Sequence, residues 1–260
     1  MRKRPLLGLL PMFFIILTGV PVFAQTAYDI MKKADDRYIG DTAKYTLTMT
    51  LVSKRGSPRI RELGYYFKDY GDTAKTAMVF RSPRDVEGTC YLAWSYDDDR
   101  DDDTWIYLPG MKRTRRISGS GRNDEFMGSD FTYEDMGDRG LSKDQFTLKG
   151  EETVDGAACW VIEARAKDVR EPSAVRLIRV RKDNYVVTGT EYYDRQGKLL
   201  KRLTVSGIRQ VDGIWIASKM EMTNVLNEHS TVIEINDMTF NAAVDDSLFT
   251  VAAMEQGRLR

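Results

Sequence analysis

The sequence predicts a mainly β protein whose single long antiparallel sheet curls into a barrel or half-barrel. From Lys44 onward apolar and polar residues alternate with a period of two, which is typical of half-buried strands. Turn signals interrupt this alternation at short intervals almost to the end of the chain, as in an antiparallel meander. Roughly ten strands joined in this way must curl to shield the edges of their sheet.

The amino terminus has the three parts of a secretory signal peptide. Basic residues at positions 2–4 precede an apolar run over 6–20, and small residues end at Ala24. A proline and a glycine interrupt the run, which is shorter than the roughly 20 residues needed to cross a bilayer, so we expect cleavage rather than a membrane anchor. Because no cysteine follows the run, the protein is not expected to be a lipoprotein. The prediction is a signal peptide over 1–24 and one soluble domain over 25–260.

The charge balance excludes a general affinity for nucleic acid. The whole chain holds 39 basic and 39 acidic side chains, and the signal peptide contains three of the basic ones, which leaves the mature chain slightly acidic. The two cysteines, Cys90 and Cys159, would enter an oxidising compartment. Whether they form a disulfide stays open at this stage, because the sequence does not give the distance between their Cα atoms.

A short amphipathic helix is predicted directly after the signal peptide. Thr26 and Asp29 have the spacing of a capping box, which marks the start of a helix. The apolar residues that follow fall on one helical stripe, as in a helix that packs against a sheet. These residues are Ala27, Ile30, Met31, Ala34 and Tyr38.

The segment from Thr104 to Met136 combines a strand, a basic run, a hinge and an aromatic group. Thr104–Leu108 is too short and too rich in aromatic and branched residues for a helix, so it is predicted as a strand. Glycine and serine at 118–121 predict a flexible hinge, and the apolar residues beyond it predict a mobile flap.

The basic run between the strand and the hinge has two interpretations. One is an ordinary exposed strand, since charged runs usually form solvated faces. The other is a surface that docks to anionic lipid headgroups or to the acidic face of a membrane partner, by an attraction that salt would screen. The residues concerned are Lys112, Arg113, Arg115 and Arg116.

The inventory of reactive residues argues against catalysis. The chain has a single histidine, His229, and lacks the motifs of serine hydrolases, nucleotide-binding loops and zinc sites. We therefore predict no catalytic residues, no cofactor and no metal site. An enzyme that acts on a lipid or glycan through carboxylates such as Glu134 and Asp135 is the rival hypothesis.

The acidic run Asp97–Asp103 has the alternate carboxylate spacing that gathers oxygen ligands around Ca²⁺. A calcium loop of the EF-hand type also needs glycine at its sixth position and glutamate at its twelfth, where this chain has Asp102 and Leu108. A solvated turn is therefore the favoured interpretation, because blocks of like charge repel one another.

Short blocks distributed along the chain carry a resemblance to a known family. The most specific block is Gly128–Asp135, with the sequence GSDFTYED. The other blocks are Asp85–Thr89, Trp94–Tyr96, Trp105–Pro109, Arg115–Ile117, Gly150–Glu152, Val154–Gly156, Tyr193–Asp194 and Gly197–Lys201. In their order, these blocks resemble the outer-membrane lipoprotein-sorting proteins of the LolA-like superfamily, over most of the mature chain.

The resemblance implies an incomplete antiparallel β-barrel with a helical or loop lid over an apolar cavity. It also implies a periplasmic carrier that takes up the acyl chains of a lipoprotein or lipid, touches membranes transiently and moves its cargo towards the outer membrane. Many members of this branch accompany RND-type exporters, so the resemblance also implies such an inner-membrane transporter as a partner. The alternative on the same scaffold is a periplasmic sensor or adaptor that regulates a membrane protein.

Aromatic and methionine side chains are the candidates for the cavity, because they are large, apolar and adaptable. Each one taken singly is more simply explained as core. As a group they permit a cavity, because one helix and one flap are small covers for a curled sheet. The expected lining or cap is Trp105, Tyr107, Phe126, Met127, Phe131 and Tyr133, with Ile30, Met31 and Ala34 in the lid helix.

Overall fold

The computed structural model describes residues 25–98 and 100–259, and the predicted signal peptide lies outside these residues. The described part of the chain forms fifteen strands, three α-helices and several short 3-10 turns. The helices are α1 (Ala27–Asp35), α2 (Tyr133–Met136) and α3 (Val251–Glu255). The strands are β1 (Thr42–Val52), β2 (Arg59–Asp69), β3 (Thr73–Ser82), β4 (Cys90–Tyr96), β5 (Asp103–Leu108), β6 (Arg113–Ile117), β7 (Asp144–Val154), β8 (Ala157–Ala166), β9 (Val175–Arg181), β10 (Val187–Tyr193), β11 (Leu199–Ser206), β12 (Arg209–Val211), β13 (Ile214–Ile216), β14 (Lys219–Asn224) and β15 (His229–Phe240).

Thirteen of the strands form one antiparallel sheet in the order β6-β5-β4-β3-β2-β1-β15-β14-β11-β10-β9-β8-β7, while β12 and β13 form a separate hairpin. The sheet does not close into a barrel, since β6 and β7 are edge strands. This confirms the prediction of a mainly β, incomplete barrel. The number of strands exceeds the predicted ten because strands such as β7 are mostly exposed and therefore lack a clear apolar alternation.

The connections of the meander alternate between the two ends of the strands. The connections 53–58, 83–89, 109–112, 167–174, 194–198 and 225–228 lie at one end, here called the proximal end. The connections 36–41, 70–72, 97–102, 155–156, 182–186 and 207–218 lie at the other, here called the distal end.

The inner face of the sheet carries the main apolar core. Leu47, Met49 and Leu51 alternate along β1 and pack against apolar side chains from β2 to β6 and from β14 and β15. A segment of 26 residues, 118–143, crosses this face from the end of β6 to the start of β7. We call this segment the strap.

Helix α1 covers the remaining part of the same face. Ile162, Ile178 and Thr190 are neighbours across β8, β9 and β10, and Thr190 pairs with Leu203, which packs in the main core. Ile30 of α1 is completely buried against this row. The predicted capping box is present, since Asp29 N donates to Thr26 Oγ1 (3.1 Å) and Thr26 N donates to Asp29 Oδ2 (3.1 Å).

The outer face near β3 to β5 is covered by the carboxyl-terminal segment. Phe249, Met254 and Leu259 are buried against small and apolar residues of β3 and β4. The indole of Trp94 donates to the carbonyl of Phe249 (3.2 Å) and fixes this segment in place. A second apolar layer therefore lies on the other side of the same strands.

The two cysteines lie far apart in the sheet order. Cys90 is on β4 and Cys159 on β8, with eight strands between them. Cys159 is a buried free thiol, with its Sγ 3.8 Å from Thr188 Oγ1. The structure thus contains no bridge between the two cysteines.

Candidate ligand-binding cleft and its strap

The strap inserts three aromatic rings into the inner face of the sheet. Phe126, Phe131 and Tyr133 are at most 7% exposed and belong to the main core. The ring of Phe126 makes edge-to-face contacts with Tyr91 and with Tyr133, both at a centroid distance of 5.5 Å. These geometries are the favourable ones for aromatic pairs, so the rings stabilise the closed strap.

Arg139 anchors the carboxyl-terminal part of the strap. Its Nε and Nη2 donate to the two carboxylate oxygens of Asp144 at the start of β7 (3.0 and 3.2 Å). Its Nη1 donates to Glu134 within the strap (2.9 Å) and to Glu171 in the connection after β8 (3.2 Å). One guanidinium therefore joins the strap to two parts of the sheet.

The environment of Asp144 shows how strong this anchor is. Burial opposes ionisation of the carboxyl group, but the hydrogen bonds and charges of Arg139 and Arg176 outweigh burial and hold the pKa of Asp144 below its ordinary value. The Asp144 side chain is only 3% exposed. Loss of Arg139 would leave the buried carboxylate of Asp144 with Arg176 as its one remaining arginine partner.

Further polar contacts hold the middle of the strap. Arg61 Nη1 donates to the carbonyl of Met127 (2.7 Å), and Lys201 on β11 pairs with the strap residue Asp135. At Asp130 of the strap, the backbone N donates to Thr231 Oγ1 (3.0 Å), and the Thr231 hydroxyl donates to Asp130 Oδ2 (2.7 Å). The strap is thus fastened to β2, β11 and β15 as well as to β7.

The glycine and serine hinge has a defined conformation. Residues 119–123 form a 3-10 turn, and Arg122 Nη2 donates to the carbonyl of Asp102 (2.8 Å). Met127 and Gly128 follow with φ values of 53° and 70°, in the left-handed region. The contact with Asp102 therefore orders the glycine and serine hinge, although its local composition favours flexibility.

An apolar cleft opens at the distal end of the inner face, beside the strap-covered core. Its volume is about 210 Å³. Its floor is formed by Tyr45 and Tyr65, whose rings stack at a centroid distance of 4.0 Å and an interplanar angle of 8°. The other lining residues are Arg37, Ile39, Ala43, Phe67, Trp215, Ile216, Ala217, Met220, Ile235, Met238 and Phe240.

The cleft is a continuation of the main core. Tyr45, Tyr65, Met220 and Ile235 all pack against the cluster that contains the strap's three rings. Burial raises the pKa of Tyr45, and the hydroxyl group of the neighbouring Tyr65 adds to that shift. The Arg37 guanidinium donates to the carbonyl of Trp215 (3.0 Å) and ties the segment before β1 to the β12–β13 hairpin at the mouth.

Polar cavities lie beneath and beside the strap. One, of about 260 Å³, is bordered by Arg139, Arg176, Lys201 and several carboxylates. A second, of about 420 Å³, is bordered by Arg122, Arg139 and Lys143, again with carboxylates among them. These two cavities are highly charged. A third, of about 230 Å³, lies beside α1 and mixes apolar residues, including the predicted lid residues Met31 and Ala34, with charged ones such as Arg139 and Asp144. The distal cleft has a single charged residue in its lining, Arg37, and is therefore the best suited of these four cavities to an apolar ligand.

Comparisons with known proteins agree with this architecture. A family model described as that of an uncharacterized protein matches residues 72–256. A DUF1329 family protein from Desulfovibrio piger is 31% identical, with a TM-score of 0.82 over 88% of this chain and 97% of its own. A putative outer membrane lipoprotein-sorting protein domain from Vibrio parahaemolyticus is 30% identical, with a TM-score of 0.81 over 88% and 98%. A LolA superfamily protein from Nitrosomonas europaea shares the fold at 18% identity, with a TM-score of 0.66 over 88% of this chain and 99% of its own.

The chain belongs to the LolA-like family. No curated protein matches the chain.

The residues predicted to line the cavity of this LolA-like protein separate into three clusters. Phe126, Met127, Phe131 and Tyr133 belong to or pack against the inner core under the strap. Trp105 and Tyr107 face the outer layer beneath the carboxyl-terminal segment, because their neighbour Ile106 occupies the inner core. Ile30, Met31 and Ala34 of α1 form the third cluster, with β8 and β9. Their part in ligand binding stays a prediction.

The lining of the distal cleft was not predicted from the sequence. The alternation of Tyr45 with Leu47 along β1 indicated a half-buried strand but not a cleft. Met220 and Ile235 lie on β14 and β15, about 170 residues or more beyond Tyr45, so only the sheet order brings them together. The available signal was Tyr45, the one aromatic residue of β1, which alternates with Leu47, Met49 and Leu51 on the same face.

The predicted basic run lies on and beside the edge strand β6. Lys112, Arg113, Arg115 and Arg116 are all exposed. Arg116 pairs with Asp103 on β5. The structure thus presents the run to solvent, and its docking role stays a prediction.

The acidic loop at the distal end has protein partners. Asp101 pairs with Arg122 (3.3 Å) and Lys143 (2.9 Å) of the strap, and Asp98 pairs with Arg100 (2.9 Å). No group of three or more potential metal-ligating side chains that could hold an ion occurs in the described ranges. The described helices are also too short or too polar to cross a membrane.

Proposed function

We propose that this LolA-like protein is a periplasmic carrier that holds an acyl chain of a lipoprotein or lipid in the distal cleft and moves it towards the outer membrane. The observation that carries the proposal is an open apolar cleft continuous with a core that is covered only by the strap. Each CH₂ group buried there contributes about 0.8 kcal/mol, so even part of one chain supports measurable binding. Predicted export by a cleavable signal peptide and a handover from an RND-type exporter belong to the same proposal.

The size of the cleft limits what the closed structure holds. Ligand sites for small molecules usually measure about 300–1,000 Å³, whereas the cleft measures about 210 Å³. The closed form therefore accepts part of a single chain. A larger acylated cargo requires Phe126, Phe131 and Tyr133 to leave the inner face, which would extend the cleft beneath the strap.

The first test is whether the mature protein carries an acylated molecule. Native mass spectrometry of protein purified from the periplasm without detergent is expected to show a bound species that organic extraction removes. Titration of the extracted protein with dansyl-labelled undecanoic acid then gives an affinity. Protein that is empty and also ignores the probe contradicts the carrier function and favours a sensor or adaptor.

Substitutions in the cleft test its location. Met220→Asp and Ile235→Asp each place a charge in the apolar wall, so we expect the affinity for the probe to fall about tenfold or more. Leu148→Asp is the matched control, since Leu148 is 42% exposed on β7, away from the cleft. Thermal unfolding of all three variants checks the fold. Unchanged affinity in both cleft variants would place the ligand elsewhere.

A further inference from the structure

Two hairpin tips at the proximal end, one on each side of the connection between β3 and β4, carry basic side chains and no acidic ones of their own. The tip between β1 and β2 and the residues that flank it contribute Lys54, Arg55 and Arg59, and the tip between β5 and β6 contributes Lys112 and Arg113. Residues 53–60 and 109–113 contain no Asp or Glu. All five basic side chains are exposed. Within the described residues only Lys54 of the five forms an ion pair, with Glu228 (2.6 Å).

Exposed apolar side chains accompany these charges. Ile60 follows the first tip and is 58% exposed, and Met111 lies on the second tip and is 63% exposed. Leu226, on the adjacent tip between β14 and β15, is 49% exposed. Apolar side chains that project between basic ones are typical of surfaces that enter the headgroup region of a bilayer.

The sheet holds the two tips in a fixed relation. They lie at the same end, with only the connection between β3 and β4 between them. That connection adds the exposed residues Arg84, Asp85 and Glu87, so residues 53–60, 83–89 and 109–113 together hold six basic and two acidic side chains. With strands about 4.8 Å apart, the tips are separated by about 20 Å. Both therefore meet a flat surface at the same time.

Protection of a sheet edge does not explain this pattern. Basic residues on edge strands commonly prevent two sheets from pairing, and that explanation fits β6. The β1 and β2 strands, however, lie inside the sheet between β3 and β15. Edge protection therefore does not explain the basic residues Lys54, Arg55 and Arg59.

The distal connections differ in charge from the two tips. Their described residues include ten acidic and four basic side chains. An anionic surface therefore attracts the two basic tips in preference to the distal connections.

We propose that the hairpin tips at 53–60 and 109–113 form a docking surface for an anionic lipid bilayer, with Ile60 and Met111 entering the headgroup layer. The proposal goes beyond the carrier function and is independent of it, because the cleft lies at the other end of the sheet. The docked protein presents the mouth of its cleft away from the membrane.

The test is sedimentation of the mature protein with vesicles. Wild type is expected to bind vesicles of phosphatidylglycerol and phosphatidylcholine at low salt, and to bind phosphatidylcholine vesicles at least about tenfold more weakly. Added salt should weaken binding to the anionic vesicles. Absence of binding at low salt, or equal binding to both vesicles, overturns the proposal. In the first case, capture of an acidic protein by the same tips would be the replacement.

Two charge variants of equal size locate the contact. The tip variant is expected to lose about tenfold or more in vesicle affinity, whereas the control variant should bind like wild type. Equal losses in both variants would show a general charge effect and overturn the docking surface. The tip variant combines Arg55→Ser, Arg59→Ser, Lys112→Ser and Arg113→Ser. The control combines Lys33→Ser, Lys44→Ser, Lys149→Ser and Arg209→Ser, at exposed positions away from the tips.

An apolar variant tests insertion separately from charge. Ile60→Ser with Met111→Ser leaves the net charge unchanged, and is expected to remove the part of vesicle binding that persists in high salt. Unchanged high-salt binding contradicts insertion by these two side chains. Probe affinity in the distal cleft should be the same in every variant, which separates failure of docking from failure of the carrier function.

Discussion

The covered and the open parts of the inner face use the same apolar cluster in different ways. Under the strap, Phe126, Phe131 and Tyr133 fill the space, and charged anchors such as Arg139 hold them there. At the distal end, Tyr45 and Tyr65 leave a cleft of about 210 Å³. The chain therefore fills one part of the groove with its own side chains and leaves the other part open to solvent.

The largest effect is expected from removal of a strap ring. Phe126 is completely buried, so Phe126→Ala should lower the free energy of unfolding by about 3–5 kcal/mol. Met220→Ala, in the half-exposed cleft, should lower the free energy of unfolding by clearly less than Phe126→Ala. Urea unfolding of both variants measures the difference. Equal costs would mean that the covered and open parts do not differ in packing.

Loss of the main polar anchor is expected to have the next largest effect. Arg139→Met leaves Asp144 buried with Arg176 as its remaining charged partner, so we expect a loss of about 3 kcal/mol in stability. Hydrogen exchange in residues 118–143 should accelerate more than in the sheet. The control is Lys143→Met, because Lys143 pairs with the exposed Asp101. Slow exchange throughout the strap in the Arg139 variant would show that the aromatic rings alone keep it closed.

A smaller, pH-dependent effect is expected where α1 meets the strap. Asp35 keeps part of its surface exposed, but partial removal of its carboxyl from water and then the nearby Asp138 charge raise its pKa to about 6 from 3.8. The folded state thus prefers the protonated carboxyl, so this contribution to stability is complete below pH 3.8 and is lost as the pH rises to about 6. Asp35→Asn should reduce the fall in melting temperature over that range but not abolish it, because burial also raises the pKa of Asp138 and of Asp102. A variant that keeps the wild-type pH dependence would assign it to other groups.

Local patterns in the sequence predicted the elements well. The Thr26 and Asp29 capping box and the alternation along β1 each depend on neighbours a few residues away, and both are present. The hinge at 118–121 is different, because its order comes from Arg122 reaching the carbonyl of Asp102. Local composition cannot reveal such a contact.

The candidate cleft depends still more on distant contacts. It forms where β1 and β2 meet β14, β15 and the β12–β13 hairpin, which occur at opposite ends of the sequence. Alternation placed Trp105 and Tyr107 on one face but did not decide which face was inner. In the structure the carboxyl-terminal segment covers Trp105 and Tyr107, which places both residues on the outer face.

The course of the strap links the two margins of an open sheet. It leaves the last residue of one edge strand, β6, enters the first residue of the other, β7, and is fastened in between to β2, β11 and β15. The strap therefore connects the two edge strands across the inner face. Its contacts with the sheet constrain the distance between these two edges. The two margins are thus joined through side-chain contacts that lie outside the lining of the distal cleft.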